Sequence, residues 1–300
     1  MPLLVVGSVG LDSVETPHGK VEEVLGGSAV YFSWAAHFFA PVRLVGVVGT
    51  DFPKHFRELL SKRAIDTTGL EEIEGKTFRW RGRYQGNMHS ATTLAVELNV
   101  FERYEPRIPA AFLDSQFVFL ANGLPSLQQR VLEQIRRPEF VAADTMNHWI
   151  NEKKGELLEV LKKIDALILN DEEARQLTGH PNLIKAARSI QAIGPKYIIV
   201  KKGEHGAILV TPLGFFLMPG YPTEHVKDPT GAGDSFAGGV MGYLAKRGTV
   251  TEETLKQAMV YGTIIASFNV EDFSIQRLNC LTMEDIEGRK REFEAMVRFY

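Results

Sequence analysis

DPTGAGDSFAGG, residues 228–239, sets two aspartates on either side of a Gly-Ala-Gly turn and then runs into small and apolar residues. Gly231, Ala232 and Gly233 interpose almost no side chain, so the backbone of this turn can approach a ligand closely. From Ser235 onward the pattern is helical, which aims unpaired N–H groups and the positive end of a helix dipole at the turn. That arrangement binds anions, phosphate above all. Asp234 has two readings. As the residue before a helix it suits an N-cap. Beside a nest of N–H donors it can instead take a proton from a hydroxyl while the donors stabilise charge on a transferring phosphoryl group.

Outward from that turn, short apolar runs alternate with helical patterns. LLVVG at the start, RLVGVVG from Arg43, QFVFLA from Gln116, FVAAD from Phe140, DALILN from Asp165 and KYIIVKKG from Lys196 have little internal alternation, as suits strands buried on both faces of a parallel sheet. Helical patterns lie at 28–40, 52–64, 126–136, 153–163, 171–178 and 182–193, and a C-terminal block adds 233–246, 252–269 and 282–298. The alternation predicts an α/β fold, a mostly parallel sheet with helices on both faces. Lys76 to Phe101 breaks the rhythm: Phe78, Trp80 and Tyr84 alternate at period two with Arg79, Arg81 and Arg83, the mark of strands with two unlike faces. This predicts a small antiparallel sheet inserted between two βα units. It is either a meander with its aromatics on the core, or a lid over a site, or a dimer contact. No Pro/Gly/Ser-rich linker or repeat divides the chain, so residues 1–300 are expected to form one domain with this insertion.

Composition narrows the function. With 34 basic against 37 acidic residues, nothing draws the chain as a whole to nucleic acid or an anionic membrane, and small-molecule chemistry is the expectation. The single cysteine, Cys280, excludes an internal disulfide or a CxxC metal motif. No secretory pattern is visible and no apolar run approaches the roughly 18 residues of a membrane span, so a cytoplasmic protein is expected. GxxxxGK[ST], GxGxxG after a strand and HExxH are all missing, which leaves the P-loop, dinucleotide oxidoreductase and zinc-protease readings without support.

DPTGAGDSF, Asp228 to Phe236, resembles the C-terminal signature of the ribokinase, or PfkB, family of carbohydrate and nucleoside kinases. Other elements follow in the family's order. GSVGLD, Gly7 to Asp12, looks like the first strand with its substrate-contacting aspartate; LGGSAVYFSWAA, Leu25 to Ala36, looks like the di-glycine motif; RLVGVVGTDF, Arg43 to Phe52, is similar to the second strand. NDEEARQLTG, Asn170 to Gly179, resembles the Asn-x-x-Glu element, KKGEHGA, Lys201 to Ala207, resembles the strand and turn beside the nucleotide, and 76–101 lies where the family carries its lid. The resemblance implies a ribokinase-like fold and ATP with Mg²⁺. Asp234 is then the base, and the amides of Gly231, Ala232, Gly233 and Asp234 form the anion hole. Asp12, Gly26, Gly27 and Ser28 contact the phosphoryl acceptor. Asn170 and Glu173 organise Mg²⁺ and phosphate, Lys201, Gly203 and Gly206 line the nucleotide, and Asp228 helps hold a monovalent cation such as K⁺. Each has a plainer alternative: a turn cap for Asp12, helix entry for Gly26 and Gly27, a first-turn acid for Glu173, solvated charge for Lys201.

Two positions depart from the family. Ser28 stands where many of its sugar kinases carry a sugar-binding asparagine and offers fewer fixed contacts. DTMNHW, Asp144 to Trp149, lacks the arginine that sugar-acid kinases of the family carry there, so an acidic sugar would find a partner only in Arg79, Arg81 or Arg83 reaching from the lid. His148 reads as a packed or surface residue. Trp80 and Tyr84 suit stacking on a purine, covering a sugar face, or packing in a core or dimer. The expectation is an ATP-dependent kinase that phosphorylates a primary hydroxyl of a small sugar, with a nucleoside kinase and a catalytically silent sugar or nucleoside sensor as alternatives. A homodimer through the lid is also expected.

Overall fold

The computed structural model describes residues 1–298. Thirteen strands run in chain order: β1 Leu3–Val6, β2 Gly10–Thr16, β3 Gly19–Gly26, β4 Val42–Gly49, β5 Ile65–Ile73, β6 Phe78–Tyr84, β7 Ala91–Glu97, β8 Phe117–Leu120, β9 Phe140–Asp144, β10 Ala166–Asn170, β11 Tyr197–Lys201, β12 Ala207–Val210 and β13 Phe215–Met218. Nine of them form one sheet in the order β13-β12-β11-β10-β9-β8-β1-β4-β5. It is parallel from β5 to β11, and β12 and β13 are antiparallel.

Strand pleat divides the core. Leu3 and Val5 of β1 belong to one apolar cluster, Leu4 and Val6 to another on the opposite face, because successive side chains point to opposite sides. With both faces covered, these runs need no polar alternation. On the first face three helices pack in succession: α1 (Ser28–Ala36), buried at all nine residues, and the helices Ala232–Arg247 and Glu252–Asn269. The small residues that follow the opening turn have a packing reason. A Cβ on Gly238 would lie 2.3 Å from the Phe32 carbonyl oxygen of α1, and one on Gly239 would lie 2.8 Å from the Gly262 Cα. Both neighbours therefore press on the helix that begins at the glycine turn, and the turn is held rigidly.

The second sheet has the order β3-β2-β6-β7. Residues 76–101 supply only β6 and β7; the other half is the hairpin Gly10–Gly26, and β2 pairs with β6 in parallel. The expectation of an antiparallel sheet built from the insertion alone is corrected here, as is the assignment of Gly7–Asp12 to the first strand. The chain leaves the large sheet at Val6, and Asp12 sits on β2 of the small one. Thr16-Pro17-His18-Gly19 between two alternating runs was the local hairpin signal. No helix among the described residues is long and apolar enough to cross a membrane.

Candidate active site

A cavity of about 620 Å³ lies between the C-terminal ends of the parallel strands and the small sheet, the position open α/β sheets offer to ligands. Ser8 after β1, Asn122 and Gly123 after β8, and Met146 to Trp149 after β9 line it from the large sheet. Asp12 of β2, Phe78, Trp80 and Tyr84 of β6, and Thr93 and Val96 of β7 line it from the small one, while Thr230, Gly231 and Asp234 close one end. The aromatic face of β6 thus turns toward the cavity. Arg79, on the alternate face, pairs with Glu23 and Asp51 at 2.8 Å each, and Arg83 pairs with Glu15 at 3.0 Å. Neither reaches over to an acidic substrate. The cavity lining contains no lysine or arginine, and its two carboxylates, Asp12 and Asp234, would repel a carboxylated sugar.

The opening turn is more extended in role than its sequence suggests. The helix begins at Ala232 rather than Ser235, with Gly231 as its N-cap in the left-handed region at φ 74°. Asp234 is the third helical residue and makes no capping bond; its side chain faces the cavity instead. The Ala232 N–H donates to the Pro229 carbonyl at 3.1 Å, so that amide closes a turn and is removed from the expected anion hole. The amides of Gly231, Gly233 and Asp234 have no backbone acceptor among the described residues, as expected of a helix start.

Around Asp234 the structure gathers Asp144 from the end of β9, Lys201 from the end of β11 and Glu173 from the helix that follows β10. Burial raises its carboxyl pKa from 3.8 to about 7, with Lys201 pulling it down and Glu173 pushing it up. A Cβ on Gly233 would lie 2.8 Å from the Lys201 Nζ, which places the lysine's ammonium against the anion turn rather than out in solvent. Asp144, at the end of β9, is 4% exposed, and burial followed by the charge of Asp234 holds its carboxyl well above the usual range. One of its oxygens, Oδ1, is buried without a hydrogen-bond partner. Asp144 was not among the sequence candidates; its signal was an acid ending an otherwise apolar parallel strand.

The acceptor-side residues meet at the hinge between the sheets. Asp12 is 3% exposed and accepts hydrogen bonds from the Gly27 N–H at 3.4 Å and the Tyr31 hydroxyl at 3.5 Å. Gly26 lies outside the cavity lining but packs directly on this carboxylate, since a Cβ there would fall 2.0 Å from Asp12 Oδ2. Ser28 lines the cavity and shares a 3.0 Å bond with the Ser8 hydroxyl. Burial lifts the Asp12 carboxyl from 3.8 to about 7, the Gly27 N–H opposing and Asp228 and Asp234 adding to the rise. A folded-state pKa above the unfolded one gives stability that is full below pH 3.8 and is lost as pH rises through about 7. Asp144, Asp228, Glu173 and Asp234 are displaced the same way. The melting temperature of the ligand-free protein should therefore fall from about pH 5 to about pH 8, and Asp12→Asn should flatten that fall. Calorimetry across that range checks it; a melting temperature that climbs with pH would contradict the placement of these acids.

The remaining candidates separate. Asn170 and Glu173 form a reciprocal capping box at the start of helix Asp171–Thr178, with Glu173 N–H donating to Asn170 Oδ1 at 2.8 Å and Asn170 N–H donating to Glu173 Oε2 at 2.7 Å. They lie beside the cavity rather than in its lining, and only Glu173 is felt electrostatically by Asp234. Gly203 stands in the open at φ 56°, whereas a Cβ on Gly206 would lie 2.0 Å from the Met218 carbonyl oxygen, a packing constraint between β12 and β13. Asp228 is fully buried behind the turn: Oδ1 accepts the Thr230 N–H at 2.9 Å and Oδ2 has no partner. Sequence reasoning missed Asn122, which holds the Trp149 indole N–H on its Oδ1 at 2.9 Å and so fixes an aromatic wall of the cavity.

The profile of the pfkB family carbohydrate kinase matches residues 5–279. The chain belongs to the PfkB family. A cytidine kinase of Thermococcus kodakarensis is 32% identical to this PfkB kinase over 264 residues, 85% of this chain and 92% of that protein. Solved structures share its fold. The aminoimidazole riboside kinase of Salmonella enterica, complexed with aminoimidazole riboside and an ATP analog, superposes with TM-score 0.78 at 18% identity, covering 97% of this chain and 100% of its own. A provisional ribokinase II of E. coli in complex with ATP and Mg²⁺ gives 0.80 at 16% identity over 97% and 99%. The ribokinase-like fold and a phosphotransferase activity on a hydroxyl acceptor follow for this PfkB kinase.

Proposed function

We propose that the acceptor is a nucleoside, phosphorylated on the primary hydroxyl of its ribose from Mg-ATP, in place of the small free sugar expected first. The observation that carries this reading is the far wall of the cavity, where Phe78, Trp80, Tyr84 and Trp149 gather, since a nucleobase stacks on such aromatic faces. The cytidine kinase relative supports it. The ribose hydroxyls would bond to Asp12, and the primary hydroxyl would face Asp234, which takes its proton as the phosphoryl group arrives at the amides of Gly231, Gly233 and Asp234. Lys201, against Gly233, would neutralise charge on the moving phosphoryl oxygens. The small sheet excludes water that would otherwise accept the phosphate.

No group of three or more metal-ligating side chains gathers among the described residues. The partnerless Asp144 Oδ1 with Glu173 fits a hydrated Mg²⁺ brought in on ATP, whose waters these carboxylates would hold. The chemistry such an ion would supply there is positive charge to offset that of the transferring phosphate. The buried, partnerless Asp228 Oδ2 fits a monovalent cation behind the anion turn. Leu94, 46% exposed on the outer strand β7 and outside the cavity lining, supports a homodimer through the small sheet.

ADP release from Mg-ATP with K⁺ present, measured against cytidine, uridine, adenosine, inosine, ribose, fructose and sugar acids, tests the proposal. At least one nucleoside should exceed every free sugar in kcat/KM by about 100-fold or more, the equivalent of roughly 2.7 kcal/mol from stacking and burial of the base. Preference for ribose or fructose would return the site to a sugar kinase.

A further inference from the structure

Asn269, the last residue of helix Glu252–Asn269, lies 0% exposed beneath the anion turn and outside the cavity lining. Its Nδ2 donates to the Thr230 carbonyl at 2.8 Å, and its Oδ1 accepts the Ser235 hydroxyl at 3.0 Å. The orientation of the amide is unambiguous, since a carbonyl can only accept and must face the NH₂. One buried side chain thus grips the turn on both sides of Gly231-Ala232-Gly233-Asp234.

The grip has two consequences for the donors that face the phosphate. A trans peptide points its C=O and N–H in opposite directions, so drawing the Thr230 carbonyl down onto Asn269 turns the Gly231 N–H up toward the cavity that Gly231 lines. Thr230 is also four residues before Asp234, and its carbonyl is the acceptor that a helix begun one residue earlier would assign to the Asp234 N–H. Asn269 engages that carbonyl, and the first recorded bond of the helix is instead Ser235 N–H to the Gly231 carbonyl at 2.8 Å. The Asp234 amide is left without a backbone acceptor.

We propose that Asn269 is a positioning residue for phosphoryl transfer, which aims the amides of Gly231 and Asp234 without touching either substrate. This rests on the reading of those amides as the phosphate-binding donors. Removing one donor from such a hole costs about 10²–10³ in kcat; an indirect loss of aim in Asn269→Ala should cost about 30- to 100-fold in kcat, with the KM of the acceptor within about threefold of wild type. Asn269→Asp, which sets a carboxylate oxygen against the Thr230 carbonyl, should fall further. Ser235→Ala frees the amide to rotate while keeping it; it should lower kcat by about threefold to tenfold with the same unchanged KM, and it remains informative where the Asn269 variants fail to fold.

Steady-state kinetics on the acceptor that wild type uses best, with Asp234→Asn alongside, decides the matter. If Asp234→Asn is inactive while Asn269→Ala and Ser235→Ala stay within about twofold of wild-type kcat, or if they raise KM as much as they lower kcat, Asn269 is only packing and the inference falls. If Asp234→Asn itself turns over normally, the reading of the turn falls and this inference with it.

Discussion

Asp234→Asn should lose about 10³–10⁴-fold in kcat, with the dissociation constants of acceptor and ATP changed by less than about threefold. The asparagine keeps the size and the helix position of the aspartate but cannot take the hydroxyl proton. No second carboxylate in the cavity lining is free to replace it: the other one there is Asp12, held by the Gly27 N–H and the Tyr31 hydroxyl on the acceptor side. The setting of Asp234 is suited to a base. A carboxyl raised to about 7 by burial accepts a proton far more readily than a surface carboxylate, while Lys201 keeps it ionised in part at neutral pH. Single-turnover kinetics with saturating acceptor separates the chemical step from binding; wild-type turnover in the variant would remove Asp234 from the mechanism.

Gly231→Ala should damage stability and activity together. The residue sits at φ 74°, and a Cβ there would lie 2.3 Å from the Tyr31 ring. The left-handed backbone costs a non-glycine residue about 1–2 kcal/mol and the overpacking against a fully buried tyrosine about 1–3 kcal/mol more. The melting temperature should drop by roughly 3–8 °C. The same methyl pushes Tyr31, whose hydroxyl bonds to Asp12 at 3.5 Å, so acceptor affinity and the aim of the anion hole should suffer together and kcat/KM should fall by about 10³-fold or more. Thermal melts and steady-state kinetics check both halves. A variant as stable and active as wild type would show that the turn tolerates another backbone conformation.

How much of this was legible beforehand depends on the range of the interactions. Six parallel strands and the helices between them were readable because burial on both faces, the helical period and end signals act within a few residues; the helix 252–269 was placed at its observed ends, and the capping box of Asn170 and Glu173 is written into their spacing. The glycine turn was equally readable, because an anion site made of backbone needs only glycine and a helix start. Charge partners were not. From its local sequence alone Lys201 is as readily a solvated strand end until β11 is laid beside the helix at Gly231, and Asp144 is only an acid ending an apolar strand until β9 delivers it to Asp234. The parallel β2–β6 pair joins segments more than fifty residues apart, and parallel pairing leaves no turn signature between them.

By itself the sequence determined the mostly parallel α/β layering, the anion-binding turn and the family to which they belong, since those are carried by local periodicity and by contiguous residues. Tertiary structure alone decided that the aromatics of β6 face the cavity, that Arg79 and Arg83 are spent on Glu15, Glu23 and Asp51, that the Ala232 amide is withdrawn from the turn, and that Asn269 stands beneath it. Each of these is a contact between residues distant in the chain or a choice between two faces of one strand, and alternation marks two faces without saying which one the rest of the protein will cover.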